Sequence, residues 1–332
     1  MSERPPRVGA MDVGIDAGID VAGVRRSFGT VHAVQDVTFV AAPGRVTGLV
    51  GPNGSGKTTL MLMLASLLRP DAGEIRIGGV DPISEPGGVR RLLGWMPDSL
   101  GAWPSLTARE VLVATGQLYD LSRVDARARA DELLDLVDLA ALASSAARVL
   151  SRGQKQRLAL ARALVHDPRV LLLDEPASGL DPQARIALRV LLRRLAAEGR
   201  TILISSHVLS ELEEVVDDAV FLMDGRTVGT DRVAAAATRM RSWRVRVSSD
   251  PSRGVEAARA DVAAALGRTM GEVGSDRRDL LVAFADDAGA VAGLRALVGA
   301  GVPIVEFAPA VGDLEHAFLD LRVAPGEEGS HA

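Results

Sequence analysis

The sequence predicts an α/β protein in which a mostly parallel sheet is interrupted by a helical block and followed by a small α+β domain. Three observations predict it. Short β-rich runs alternate with helical patterns from Ile19 to Asp231. Arg45 to Val50, Val170 to Leu173 and Thr201 to Ile204 are apolar almost throughout, as strands covered on both faces must be. Between Leu100 and Asp167 the pattern turns helical over Thr107 to Tyr119, Asp125 to Val137 and Gln154 to Val165.

Taken in order, residues 1–17 read as a flexible leader rich in Gly, Pro and charge. Residues 18–233 form the main domain, with the helical subdomain at about 99–167. Residues 234–323 form the second domain. There Arg241 to Val247 alternates like a half-exposed strand, and Val255 to Leu266 reads as a helix. Asp279 to Phe284 is a strand, Ala288 to Val298 a helix, Val302 to Phe307 a strand and Leu314 to Leu321 a final helix. Residues 324–332 read as a flexible tail.

Composition narrows the function. A net charge of -5 supplies no basic excess to displace phosphate counterions, which argues against a nucleic-acid partner. Cysteine is missing, so disulfides and thiolate metal sites are excluded. No apolar run reaches the about 18 residues of a membrane span, and no signal peptide is legible at the start. Any membrane role is therefore expected to act through a partner.

Gly51-Pro52-Asn53-Gly54-Ser55-Gly56-Lys57-Thr58-Thr59 fits the phosphate-loop pattern G-x-x-x-x-G-K-[ST]. Glycines let successive N–H groups turn inward toward phosphate oxygens, and the following helix adds its N-terminal partial charge. Lys57 is expected to reach the outer phosphates and the Thr58 hydroxyl to ligate Mg2+. A glycine turn capping a structural helix is the plainer account. It is disfavoured by the apolar strand leading in and the helix, Leu60 to Leu68, leading out.

A second apolar strand ends in Asp174-Glu175-Pro176. Ligand chemistry gathers at the carboxyl ends of strands in such sheets. Asp174 is placed to hold Mg2+ and Glu175 to activate an attacking water. Alone, such a pair is more often a helix cap or a solvated turn; beside a phosphate loop that account loses.

Leu150-Ser151-Arg152-Gly153-Gln154 resembles the LSGGQ signature of ABC ATPases. Ser178-Gly179-Leu180-Asp181 resembles the D-loop and Ser205-Ser206-His207 the H-loop of that family. Phe28 stands where the family keeps an aromatic that stacks on adenine. The resemblance spans roughly residues 19 to 231 and implies the P-loop NTPase fold with ATP as substrate and Mg2+ as cofactor. It implies a head-to-tail dimer, in which Ser151, Gly153 and Gln154 of one copy cap the γ-phosphate held by the other. Asp181 would link the two sites, and His207 would sense the γ-phosphate. Asp98 replaces a frequent glutamine and can still ligate Mg2+. Arg152 replaces the first signature glycine, pointing either away from the phosphate or toward it.

The C-terminal residues Gly312 to Leu319 are similar to the closing helix of ABC-2-type, drug-export ATP-binding subunits. The implied partners are an ABC-2-type integral-membrane permease and a second nucleotide-binding domain, as a homodimer, at the cytoplasmic face of the cell membrane. Trp103 is a candidate permease contact, with packing inside the helical subdomain as the alternative. Two other readings stand beside the export motor: a non-transport ABC ATPase and a regulatory module switched by ATP binding.

Overall fold

The computed structural model describes residues 17–98, 103, 105–206, 208–229, 231, 233, 241–248, 254–276, 279–312, 316, 318 and 321. His207, most of the expected helix Leu314 to Leu321, the leader and the tail lie outside those residues. The contacts divide the chain into two units. One holds the described residues up to 206 with Val215–Thr227; the other holds Val208–Glu214 and those from 228 on.

The first unit is built on a nine-stranded sheet ordered β4-β1-β2-β9-β8-β3-β7-β6-β5. Its strands are β1 (Ile19–Phe28), β2 (Val31–Ala41), β3 (Val46–Val50), β4 (Ala72–Ile77), β5 (Leu93–Met96), β6 (Val170–Asp174), β7 (Thr201–Ser205), β8 (Asp218–Met223) and β9 (Arg226–Thr227). The strands β8, β3, β7, β6 and β5 run parallel. Every residue of β3, β6 and β7 is buried, which explains their unbroken apolar character.

The other flank is antiparallel, with β1 paired to β2 on one side and β4 on the other. This flank is the minority that a mostly parallel sheet leaves room for. The signal lies in alternation: Ile19, Val21 and Val24 of β1 are buried while Asp20 and Ala22 face out. Register pairs Asp174 with Ser205 and Leu49 with the same Ser205, so the carboxyl ends of β3, β6 and β7 come level along one edge.

Helices fill the connections between the strands. Helix α1 (Lys57–Leu64) starts earlier than Leu60 and drives Leu60, Met61, Met63 and Leu64 into the core. Helix α2 (Pro86–Leu92) opens on proline, whose missing N–H costs nothing in a first turn. The helical block comprises α3 (Ala108–Leu118), α4 (Arg123–Leu136) and α5 (Arg152–Ala163). Thr107 with Glu110 boxes the start of α3, Ser122 caps α4, and Ser151 with Gln154 boxes α5. Helix α6 (Pro182–Ala197) is capped by Asp181, whose Oδ1 accepts from Ala184 N at 2.9 Å.

The second unit contains α7 (Leu209–Glu213) and the run β10 (Arg241–Val247), α8 (Gly254–Ala265), β11 (Val273–Asp276), β12 (Asp279–Phe284), α9 (Asp287–Gly299) and β13 (Ile304–Pro309). This is a β-α-β-β-α-β arrangement with sheet order β11-β12-β10-β13, antiparallel throughout. Strand β11 is absent from the sequence reading because its four residues, Val-Gly-Ser-Asp, carry one buried apolar side chain. Val245, Val262, Val282, Phe284 and Leu297 form the core, edged by stacked Trp243 and Phe307 with ring centroids 4.9 Å apart.

Candidate functional site: a phosphate cradle at the strand ends

The loop between β3 and α1 is shaped by two glycines. Gly56 precedes the helix at φ +99, and a Cβ there would lie 2.3 Å from Ala33 O. At Gly51 a Cβ would lie 2.3 Å from Leu222 O and 2.5 Å from Ser55 Oγ. Any larger residue must move backbone at both positions. Ser55 N donates to Pro52 O at 3.2 Å, closing the turn. The Ser55 hydroxyl is buried with no hydrogen-bond partner among the described residues, while Asn53 and Gly54 are exposed. An orphaned hydroxyl in a wrapped, helix-initiating loop is a group waiting for an acceptor.

Lys57 folds back over this loop, donating from Nζ to Gly51 O at 2.7 Å and Pro52 O at 3.0 Å. Burial lowers the pKa of its ammonium, against the opposing pull of Glu175 and Asp174. One turn of backbone places Thr58 Oγ1 3.5 Å from Asp174 Oδ2, across 116 residues of sequence. Thr59 is half-buried behind it.

Asp174 ends β6 with only 5% of its surface exposed. Burial raises the pKa of its carboxyl; Ser205 and Lys57 hold it down, and the charge of exposed Asp98 adds to the rise. Ser205 Oγ donates to Asp174 Oδ1 at 2.5 Å and accepts from Glu175 N at 3.2 Å. Glu175 sits at φ +52, a left-handed conformation that costs a non-glycine residue about 1–3 kcal/mol. Its neighbours over-determine it: Gln156 Nε2 donates to Glu175 O at 2.7 Å, and Ser178 N donates to the same oxygen at 3.0 Å. Lys57, Thr58, Asp174, Glu175 and Asp98 thus share one end of the sheet.

The other expected site residues lie on separate elements. Ser151, Gly153 and Gln154 form the first turn of α5. Ser151 Oγ accepts from Gln154 N at 3.2 Å, and Ser151 N donates to Gln154 Oε1 at 2.9 Å. Ser151 is exposed, and so is Asp181 at the start of α6. Phe28 ends β1 with 47% of its surface open. The Arg26 guanidinium covers one face of the ring, 4.7 Å from its centroid, and is itself held by Asp71 at 2.7 Å.

Ser205, Gln156 and Arg26 were missed as site residues in the sequence. Ser205 stood inside the H-loop resemblance without a role, and its hydrogen bond to Asp174 depends on strand pairing. Gln156 stands in a helix start rich in polar residues, and only the fold shows that it is the one polar side chain buried there beside Leu158, Ala159, Leu160, Ala161 and Ala163.

The family described as ABC transporter matches residues 34–178. The daunorubicin resistance ATP-binding protein DrrA3 of Streptomyces coeruleorubidus is 35% identical over 308 residues, covering 92% of this chain and 96% of that protein. The Nod factor export ATP-binding protein I of Paraburkholderia xenovorans is 41% identical over 214 residues, covering 64% of this chain and 70% of its own. A dimeric ATP-binding cassette solved in a post-hydrolysis state with ADP and Pi superposes with a TM-score of 0.59 at 27% identity, over 64% of this chain and 97% of that one. A glycine cradle with its lysine, a buried acid beside it, and identity along nearly the full length lead to one assignment. The chain belongs to the ABC transporter family, as an ATP-binding and ATP-hydrolysing subunit.

Proposed function

We propose that this subunit powers export through a separate ABC-2-type membrane permease, working at the cytoplasmic face of the membrane as a pair of identical chains. The names of the two relatives, one an export protein and one a drug-resistance protein, support export. No helix among the described residues is long and apolar enough to cross a membrane, in keeping with a permease carried on another chain. Trp103, 39% exposed at the entrance to the helical block, is the proposed permease contact. The domain assignment proposed is 18–233 for ATP binding and 234–323 for the appended domain.

One observation carries the site reading: a buried carboxylate, Asp174, shares its two oxygens between Ser205 and the helix-start hydroxyl of Thr58 beside an orphaned Ser55. The loop N–H groups and Lys57 bind the outer phosphates, Lys57 exchanging loop carbonyls for phosphate oxygens. No cluster of three or more His, Cys, Asp or Glu side chains suited to a metal occurs among the described residues. Thr58, Asp174 and Asp98, with phosphate oxygens, instead provide the hard oxygen donors that suit Mg2+. When bound, Mg2+ would neutralise charge developing on the phosphates. Glu175 takes the proton of the attacking water onto its carboxylate, its direction set by Ser205 and Gln156. Phe28 stacks on adenine. Ser151, Gly153 and Gln154 close over the partner copy's γ-phosphate, Asp181 links the two sites, and His207 senses the γ-phosphate.

Glu175→Gln tests the reading. It should keep ATP binding, trap a dimer with Mg-ATP and slow hydrolysis by on the order of 10²- to 10⁴-fold. Turnover equal to the parent would remove Glu175 as the base.

A further inference from the structure

Arg152 occupies a signature position that the family fills with glycine, and the sequence leaves its direction open. In the structure its Nη2 donates to Ser178 Oγ at 2.6 Å. The rest of the side chain lies against Gly179, so closely that a Cβ there would sit 2.7 Å from Cδ and 2.9 Å from Cγ and Nε. Gly179 holds φ +75, so this backbone is glycine-dependent for both conformation and space. One residue after Arg152, the Cα of Gly153 faces Gly179 O, and a Cβ would approach it to 3.0 Å. One turn further, Gln156 donates to Glu175 O. The start of α5 therefore grips the loop 175–179 at both ends, Glu175 at one and Ser178–Gly179 at the other.

We propose that Arg152 is a positioning residue, a clip that makes the Ser151 end of α5 and the loop bearing Glu175 move as one body. Arginine suits the task. Its planar fork stays charged, reaches a hydroxyl and lies flat over a glycine backbone. When the second copy's nucleotide engages Ser151, the same displacement sets Glu175 at the chain's own nucleotide. Closure at one site and placement of the base at the other become a single event. This inference rests on the dimeric ATPase reading and deepens it.

The test uses the full chain. Arg152→Ala should lower kcat by on the order of ten- to a hundredfold, because the base is left misplaced while the phosphate loop is intact. KM and the affinity for a fluorescent ATP analogue should stay within about twofold. Ser178→Ala should lower kcat in the same direction, and the double variant should be no worse than Arg152→Ala. Arg152→Lys should recover part of the rate through an ammonium–hydroxyl hydrogen bond. If Ser178→Ala is silent while Arg152→Ala is slow, the guanidinium serves a phosphate and the clip is wrong. A raised KM with kcat unchanged overturns it equally. Failure of the parent reading looks different: Glu175→Gln with Arg152 intact would then form no dimer on Mg-ATP, and both would fall together.

Discussion

The two units solve the same packing problem with opposite treatments of polarity. The first buries Thr47, Ser55, Lys57, Thr115, Gln156, Asp174, Thr201, Ser205 and Ser206, and five of these nine, Ser55, Lys57, Asp174, Ser205 and Ser206, lie at or beside the carboxyl ends of β3, β6 and β7. In the second, His316 alone is buried and polar among the described residues. Its charges pair across neighbouring strands on part-exposed side chains, Arg246 with Asp279 and Glu306 and Arg244 with Glu306. A desolvated polar group costs folding free energy unless it is fully satisfied. Wholly buried polar side chains gather at one edge of the first sheet, whereas buried polar atoms of the second such as Trp243 Nε1 and Arg244 Nε sit on larger, part-exposed side chains. Surface ion pairs such as those of Arg246 contribute about 0–1 kcal/mol each.

That contrast can be broken by experiment, beginning where the effect is largest. Asp174→Asn should reduce Mg-ATP turnover by on the order of 10²-fold or more, since the amide cannot neutralise the Mg2+ that Asp174 is proposed to hold. The same change should raise the melting temperature of the nucleotide-free protein. Burial raises the carboxyl's pKa, so its ionised form destabilises the fold near neutral pH. Asn Oδ1 can still accept from Ser205. A gain of about 1 kcal/mol corresponds to roughly 2–4 °C by calorimetry. A lower melting temperature would mean that Asp174 is structural.

In the second unit the sign should reverse. Val282→Ala, in the middle of β12 with no exposed surface, should destabilise by about 2–3 kcal/mol through the lost methyls and their cavity. ATP affinity should be unchanged. Weakened nucleotide binding in that variant would erase the distinction between chemical and scaffold units.

The smallest effect concerns a buried titratable group away from the chemistry. His166 stacks on Tyr119 with ring centroids 3.8 Å apart and donates from Nε2 to Leu93 O at 3.2 Å. Burial lowers its pKa from 6.5 to about 4. The unfolded chain therefore binds a proton that the folded chain refuses, and the stability present above pH 6.5 is lost as pH falls toward about 4. His166→Phe keeps the stack and removes the proton uptake. Its melting temperature should vary less with pH across that window, and an unchanged pH profile would assign the acid sensitivity elsewhere.

Much of the nucleotide unit was legible in the amino acids because its signals are local. The loop Gly51 to Thr59, the strand before it and the acids after Leu173 each occupy a dozen residues or fewer, within reach of periodicity and turn chemistry. The strands β10 and β12 read correctly to the residue, β10 from its alternation of polar and apolar residues and β12 from a short apolar run. Boundaries fared less well where caps decide them. Helix α5 begins at Arg152 rather than Gln154, because Ser151 and Gln154 close a capping box around its first turn.

By itself, then, the order of amino acids determined the glycine cradle, the acidic strand end, the family and the sheet's apolar heart, all properties of contiguous chain. Only the tertiary structure decided that Thr58 meets Asp174 across 116 residues, that Ser205 meets it across 31, and that Arg152 turns to Ser178 rather than elsewhere. Those pairings follow from strand order and helix placement. Periodicity records which face of an element is buried, but not which distant element will cover it.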